Sequence, residues 1–307
     1  MSVESSSKLN TSQTRNSVSV IRKLIRDPMG AVGLFIVLSF LLIALFADLI
    51  APYDPNKIDI LNKLQGPSLN HLVGTDQLGR DTLSRLIHGT QIALLVAIVS
   101  ISLAVLVGSL LGGIAGYGPA WLDFVIMLIF DTMRSYPVIM FALAVVVLFG
   151  PSLTTIMVII VATSFPTYGR LMRTQTQTLR KSEYILSAQA LGISTPRILL
   201  KHVLPNTIGP ILIVASMDVP FVIALEAGLS FLGLGVRPPT PSWGSILNDG
   251  YTYIRNSSWI LFSAGAPLIL VTIGFTFLGE QLRDILDLEF YVLLKILNLV
   301  ILNLDIY

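Results

Sequence analysis

Cysteine is absent from all 307 positions, which excludes a disulfide framework, thiolate catalysis and any Cys-based metal site. Histidine is scarce: His71, His88 and His202 stand far apart in the sequence. Charge is scarce as well. Only 12% of residues are charged, against about 25% in soluble domains, too few to cover a water-facing surface. A net charge of +2 gives no electrostatic reason to bind nucleic acid. Also missing are a G-x-x-x-x-G-K-[ST] phosphate loop, an H-E-x-x-H metal pair and a G-x-S-x-G nucleophile turn. These absences argue against ATPase chemistry in this chain and against a membrane enzyme.

What is abundant is apolar surface. Hydrophobic residues make up 53% of the chain and mean hydropathy is +0.78, which predicts an all-α polytopic membrane protein. The first 29 residues are Ser-rich, polar and basic, and no apolar core lies near Met1, so residues 1–29 read as a retained cytoplasmic tail and not as a signal peptide. Six stretches approach the roughly 20 apolar residues that a bilayer core demands: Gly30–Ile50, Gln91–Gly116, Trp121–Phe149, Pro151–Tyr168, Thr207–Leu234 and Ile260–Gly279. The organisation expected is a first span with its outside loop over 30–90, a five-helix core over 91–280 with a hairpin at 170–206, and a tail over 281–307. With the N-terminus inside, 13 of the 20 Lys and Arg fall in inside segments, which places both termini in the cytoplasm. The two halves of the chain show no obvious repeat of the kind that secondary carriers use.

Charges inside such spans need a reason, because each costs about 2.5–3.5 kcal/mol at mid-bilayer on insertion scales. Asp131 and Arg134, three apart, can neutralise each other or contact a substrate. Asp123 suits the start of its helix. Asp218 falls about 16 Å into the fifth span, beside Pro220, where a kink and an acid can line a watery pathway and meet an amino group. Glu226, near the outer end, can act as a gate or interface contact, or snorkel to the surface. Gly108, Gly112 and Gly116 expose backbone on one helix face, either within this bundle or toward a second subunit. In the outside segments, Asp81 is expected to cap a short helix that ends at Gly89, and Trp243 to anchor at the bilayer interface. The last residues, with Lys295, Asn298 and Asp305 on one face, read as an interfacial helix in preference to a seventh span.

Between the fourth and fifth spans lies "ILSAQALGISTPRILLKHVLP" (Ile185–Pro205). Ala188 and Gly192, four apart, are small enough to admit a partner's backbone, and Gly192 suits the left-handed position that closes a helix. Ser194 or Thr195 can cap a new start and Pro196 fits its first turn. Leu199, Leu200 and Val203 then face one side, and Pro205 is expected to stop this short amphipathic helix before the fifth span.

Ala188–Gly192 followed by Leu204–Pro205 resembles the cytoplasmic signature loop of membrane subunits of binding-protein-dependent ABC importers. Leu186 and Ser187 stand where that motif has its glutamate and first alanine, and Glu183 lies three residues earlier. "GTDQLGRDTLSRLIHG" (Gly74–Gly89), "ALEAGLSFLGLGVRPPTPSWGSILNDG" (Ala224–Gly250) and "LGEQLRDILD" (Leu278–Asp287) look like the peptide/nickel-type permeases, the dipeptide and oligopeptide "C" subunits. The resemblance implies a type I ABC importer permease fold with six transmembrane helices in the cell membrane. It implies partners too: a second permease in a heterodimer, two ATPase subunits that bind ATP and Mg, and an external substrate-binding protein. This chain would bind no cofactor itself. The hairpin would be a coupling helix carried by Glu183, Ser187, Ala188, Ala190, Leu191, Gly192, Ile193, Pro196, Leu204 and Pro205. Asp218, Glu226, Asp131 and Arg134 would border the translocation pathway. Peptides are the cargo implied, with nickel, glutathione or oligosaccharides as alternatives.

Overall fold

The computed structural model describes residues 22–304, with side-chain surroundings for residues 22–285, and its regular elements are helices. Helix α1 (Pro28–Leu45) begins where Asp27 accepts from the amides of Met29 and Gly30 at 2.9 and 3.0 Å, with Pro28 in the first turn. Its 18 residues rise about 27 Å, close to the thickness of a bilayer core. Gly30, Gly33, Val37 and Phe40 form its one buried stripe. That stripe lies on the last helix, α10 (Trp259–Leu304). A Cβ on Gly33 would meet Leu278 N at 2.7 Å and Gly274 O at 2.9 Å, so only bare backbone allows this approach.

Helix α2 (Thr82–Tyr117) is capped by Asp81, which accepts from Ser84 N at 2.8 Å. It runs 36 residues without interruption, about 54 Å. The expected stop at Gly89 does not occur. Glycine is needed there because a Cβ would meet the Trp243 ring at 2.8 Å, not because the helix ends. The most extensive helix packing in the chain joins α2 to α5 (Leu153–Arg180). Here the Gly strip is decided: a Cβ on Gly108 or Gly112 would run into the backbone around Gly169, and one on Gly116 would meet Arg173 O at 2.7 Å. The strip serves this chain's own bundle.

The third expected span is broken. Helices α3 (Ala120–Ser135) and α4 (Val138–Phe149) meet at 92° across Tyr136–Pro137. Proline disfavours a helical conformation for the residue before it, and Tyr136 is extended, with φ −91° and ψ 136°. Among the described residues five further helices, Pro28–Leu45, Thr82–Tyr117, Leu153–Arg180, Thr195–Phe231 and Trp259–Ile285, are long and apolar enough to cross a membrane. Counting the bent pair as one crossing gives six.

After α5 come α6 (Glu183–Ala190), a single turn α7 (Thr195–Ile198), a π-turn (Leu199–Val203) and α8 (Leu204–Phe231). Pro205 does not stop the short helix as expected. The wider π-turn just before it relieves the clash that a proline ring makes with the preceding turn, and the helix passes straight into the span. Helix α9 (Trp243–Thr252) follows, opened by a capping box between Ser242 and Ser245. The C-terminal extension is no separate element: its main chain continues α10 to Leu304. Of the tail expected over residues 1–29, residues 1–21 lie outside the described residues, as do the side chains of Lys295, Asn298 and Asp305, and residues 22–26 are already helical.

Candidate functional site

Two constellations stand out, a hairpin at one end of the bundle and a charged cavity at the α3–α4 break that is open on the side where Arg134, Tyr136 and Phe221 are exposed. In the hairpin, Gly192 takes φ +74°, its amide donates to Gln189 O (2.9 Å) and the Ile193 amide to Ala188 O (3.1 Å). These two bonds are a Schellman closure, so the predicted left-handed glycine holds. Ser194 precedes α7 but its side chain makes no capping bond, and Pro196 occupies the first turn. Ile185, Ala188, Ile198 and Val203 are buried and pin the hairpin to the bundle. Across the turn, Gln189 Nε2 donates to the Tyr117 hydroxyl at 2.6 Å, and the Arg180 guanidinium sits 5.1 Å above the Tyr117 ring.

The expected small face needs correction. Ala188 points into the bundle, and Gly192 lies beyond the end of α6, so the two do not form one open surface. The exposed side instead presents Leu186, Leu191 and Leu200, with Glu183, Ser187, Ala190, Gly192, Pro196 and Pro205 also exposed, while Ile193 and Leu204 are half-buried. Leu191 is 81% accessible. Leu186 and Leu191 beside the closed turn, and Leu200 in the π-turn, leave apolar surface uncovered on the hairpin. Between α2, the hairpin and the start of α8 lies an apolar groove of about 770 Å³.

The intramembrane charges are paired differently from expectation. Asp131 binds Arg170 of α5 and not Arg134. Asp123 stands in the first turn of α3, as expected, and in addition takes both Nε and Nη2 of Arg173 at 2.5 and 2.6 Å, a bidentate pair. Arg134 is left with Thr167 Oγ1 at 3.4 Å. Asp218 accepts from the Tyr168 hydroxyl at 2.8 Å. A cavity of about 260 Å³ at the α3–α4 break brings Arg134 and Asp218 together with Tyr136, Thr163, Thr167 and Phe221. Glu226 is fully buried, which overturns the snorkelling alternative. Ser230 donates to its Oε1 at 2.7 Å, and Oε2 has no hydrogen-bond partner among the described residues.

Residues 108–289, more than half of the chain, match the family described as binding-protein-dependent transport system inner membrane component. The chain belongs to this family. Residues 18–67 of this permease also match the N-terminal TM domain of oligopeptide transport permease C. The dipeptide transport system permease protein DppC of Alkalihalophilus pseudofirmus is 39% identical over 266 residues, 87% of this chain and 88% of its own length. The probable D,D-dipeptide transport system permease protein DdpC of Escherichia coli K12 is 34% identical over 94% of this chain and 97% of its own. The glutathione transport system permease protein GsiD of Pectobacterium atrosepticum is 37% identical over 87% and 89%. Among solved structures, an inward-facing MetNI methionine ABC transporter chain aligns with a TM-score of 0.53 at 19% identity, covering 65% of this chain and 95% of that one. This last likeness concerns the fold alone, and it agrees with a type I ABC importer permease architecture.

The permease also holds a constellation that the linear pattern left unread. At the end of the bundle opposite the hairpin, Asp76 accepts from Arg80 Nε (2.7 Å) and Arg85 Nη1 (2.6 Å), and Asp249 of α9 lies 3.9 Å from each guanidinium. His71 Nδ1 reaches Asp81 at 2.9 Å. Asp76, Arg80, Asp81 and Arg85 are all buried. Only the four-residue step from Asp76 to Arg80 in "GTDQLGRD" hints at this; Asp249 arrives from more than 160 positions away. Trp243, expected at the bilayer interface, is buried here as well. Its Nε1 donates to the Leu86 carbonyl at 3.0 Å and its ring meets Phe40 edge-on at 5.9 Å.

Proposed function

We propose that this permease subunit imports short peptides, received from an external binding protein, with energy supplied by ATP-hydrolysing partner chains. It forms half of an alternating-access pathway and pairs with a second, related permease in the cell membrane, with both termini in the cytoplasm. Relatives named for dipeptide transport support the peptide cargo. The glutathione-named relative keeps a modified tripeptide as the second reading. ATP and Mg sit on two partner ATPase subunits, in keeping with the lack of a phosphate loop in this sequence.

The single observation that carries the coupling role is the closed hairpin with its exposed leucines. A turn locked by two backbone bonds and pinned by four buried side chains moves as one piece with α5 and α8. A partner that pushes on Leu186, Leu191 and the turn at Gly192 would thereby tilt two spans. Glu183, exposed in the first turn of α6, favours the helix by its charge there and is available to a partner cation. Asp218 and Arg134, which share the cavity, line the pathway. Asp131, tied to Arg170, holds α3 against α5, and the buried Glu226 secures the end of α8. The test is co-purification of the chain with ATPase subunits, followed by uptake of a labelled dipeptide into vesicles. Uptake that needs ATP, the binding protein and all subunits is expected. Uptake by this chain alone would overturn the reading.

A further inference from the structure

The cavity at the α3–α4 break is bordered by two opposite charges, neither of which has an ion-pair partner among the described residues. Among the described residues, the carboxylate of Asp218 has one hydrogen-bond partner, the neutral Tyr168 hydroxyl. Among the described residues Arg134 has no carboxylate within ion-pair distance, Asp131 being bound to Arg170, and the bond from Arg134 to Thr167 is long at 3.4 Å. Asp218 and Arg134 are not paired to each other, yet both border the same space of about 260 Å³. Charges at membrane depth are retained where they face a pathway or a ligand. A cation entering this space would meet Arg134, and an anion would meet Asp218. Only a molecule carrying both signs satisfies both walls at once.

Resting on the reading of this chain as a peptide permease, we propose that this cavity is a bipolar subsite. Asp218 receives the free α-ammonium of a short zwitterionic peptide, and Arg134 receives its terminal carboxylate. The Tyr168 hydroxyl orients the Asp218 carboxylate, as Thr167 orients Arg134. Phe221 supplies apolar wall for a side chain, and the volume, below the roughly 300–1,000 Å³ of drug-sized sites, suits one or two residues at a time. Because the recognition is of the two ends and not the side chains, the subsite is tolerant of sequence and selective for free termini.

The test uses the assembled importer in detergent without its binding protein, so that end-group selectivity cannot come from that protein. Saturation-transfer NMR reads weak binding of three probes: alanyl-alanine, N-acetyl-alanyl-alanine and alanyl-alanine amide. The wild-type importer should bind the unblocked dipeptide about tenfold more tightly than either blocked form, the scale of losing one charged hydrogen bond. Asp218→Asn should erase the preference against the acetylated probe while keeping that against the amide. Arg134→Gln should do the reverse, and Asp218→Glu should restore the first preference. Lack of end-group preference in the wild type, or variants that keep both preferences, would overturn the subsite. Equal weakening of all three probes in Asp218→Asn with no rescue by Asp218→Glu would overturn it too, since that marks a structural role. If the wild-type chain instead fails to assemble with ATPases or to support uptake, the permease reading falls; a working importer without end-group preference removes only this inference.

Discussion

Trp243 shows how strongly one side chain can be placed by its surroundings. Its indole N–H has the Leu86 carbonyl as partner, and its ring fills the space that Gly89 leaves open. Trp243→Phe keeps most of the volume and loses the hydrogen bond, an expected cost of about 1 kcal/mol. Trp243→Ala empties the site and is expected to cost about 3–5 kcal/mol, read by thermal unfolding in detergent. Asp249 behaves differently. Burial pushes its carboxyl above the usual range, against the lowering pull of Gln77 and Arg85. The folded chain therefore holds that proton more tightly than the unfolded one, and this contribution to stability falls as pH rises from the ordinary carboxylate value through the raised one. Melting curves taken across that window should show the decline in the wild type and a flatter profile in Asp249→Asn.

At the scale of elements, the contact of α2 with α5 is the part least able to yield. A Cβ at Gly112 has the Gly169 carbonyl in its place, and backbone cannot swing aside as a side chain can. Gly112→Ala should therefore separate the two helices and lower the folded yield sharply. Gly113→Ala next to it finds only Met172 Cε at 3.5 Å, an ordinary contact, and should be neutral or stabilising by about 0.5–1 kcal/mol. Size-exclusion profiles of the two variants separate these outcomes. In the hairpin, a side chain at Gly192 has open space within the chain but a left-handed backbone. Gly192→Leu should strain the turn by about 1–2 kcal/mol and leave membrane insertion intact, while ATPase subunits no longer co-purify. Normal assembly and transport in that variant would count against docking at this turn.

For the whole molecule, two ion pairs matter because they join a broken helix to an unbroken one. Asp123–Arg173 and Asp131–Arg170 fix α3 to α5, so the bend at Tyr136–Pro137 is left as the place where α4 can swing. Asp131→Asn should loosen that half of the pathway. In the reconstituted importer we expect faster ATP hydrolysis uncoupled from uptake, measured as a rise in ATP consumed per dipeptide transported. An unchanged ratio would assign the pair to stability alone. The charges at the opposite end, the buried Asp76, Arg80 and Arg85 with the half-buried Asp249, tie the loop before α2 to α9.

Local chemistry was legible wherever the cause lies within a few residues. Asp81 caps a helix, Gly192 closes one, and apolar runs of membrane length become the crossings, because caps, left-handed turns and bilayer thickness act on neighbouring positions. The motif order pointed to the family for the same reason. What needed the tertiary structure were choices between partners. Asp131 prefers Arg170, 39 positions on, over Arg134 beside it, since an adjacent helix brings the guanidinium closer than a turn of the same helix does. Gly89 serves a distant tryptophan and not a helix end; Ala188 turns inward; Glu226 is sealed from the surface. Sequence alone determined that this chain carries apolar runs of membrane length and that the hairpin closes at Gly192, while the 92° break at Tyr136–Pro137 and the run of helix through Gly89 and Pro205 needed the structure. Only the packing of the crossings against one another decided which charges cancel and which two remain uncompensated in one cavity, because that depends on distances between segments that no linear spacing encodes.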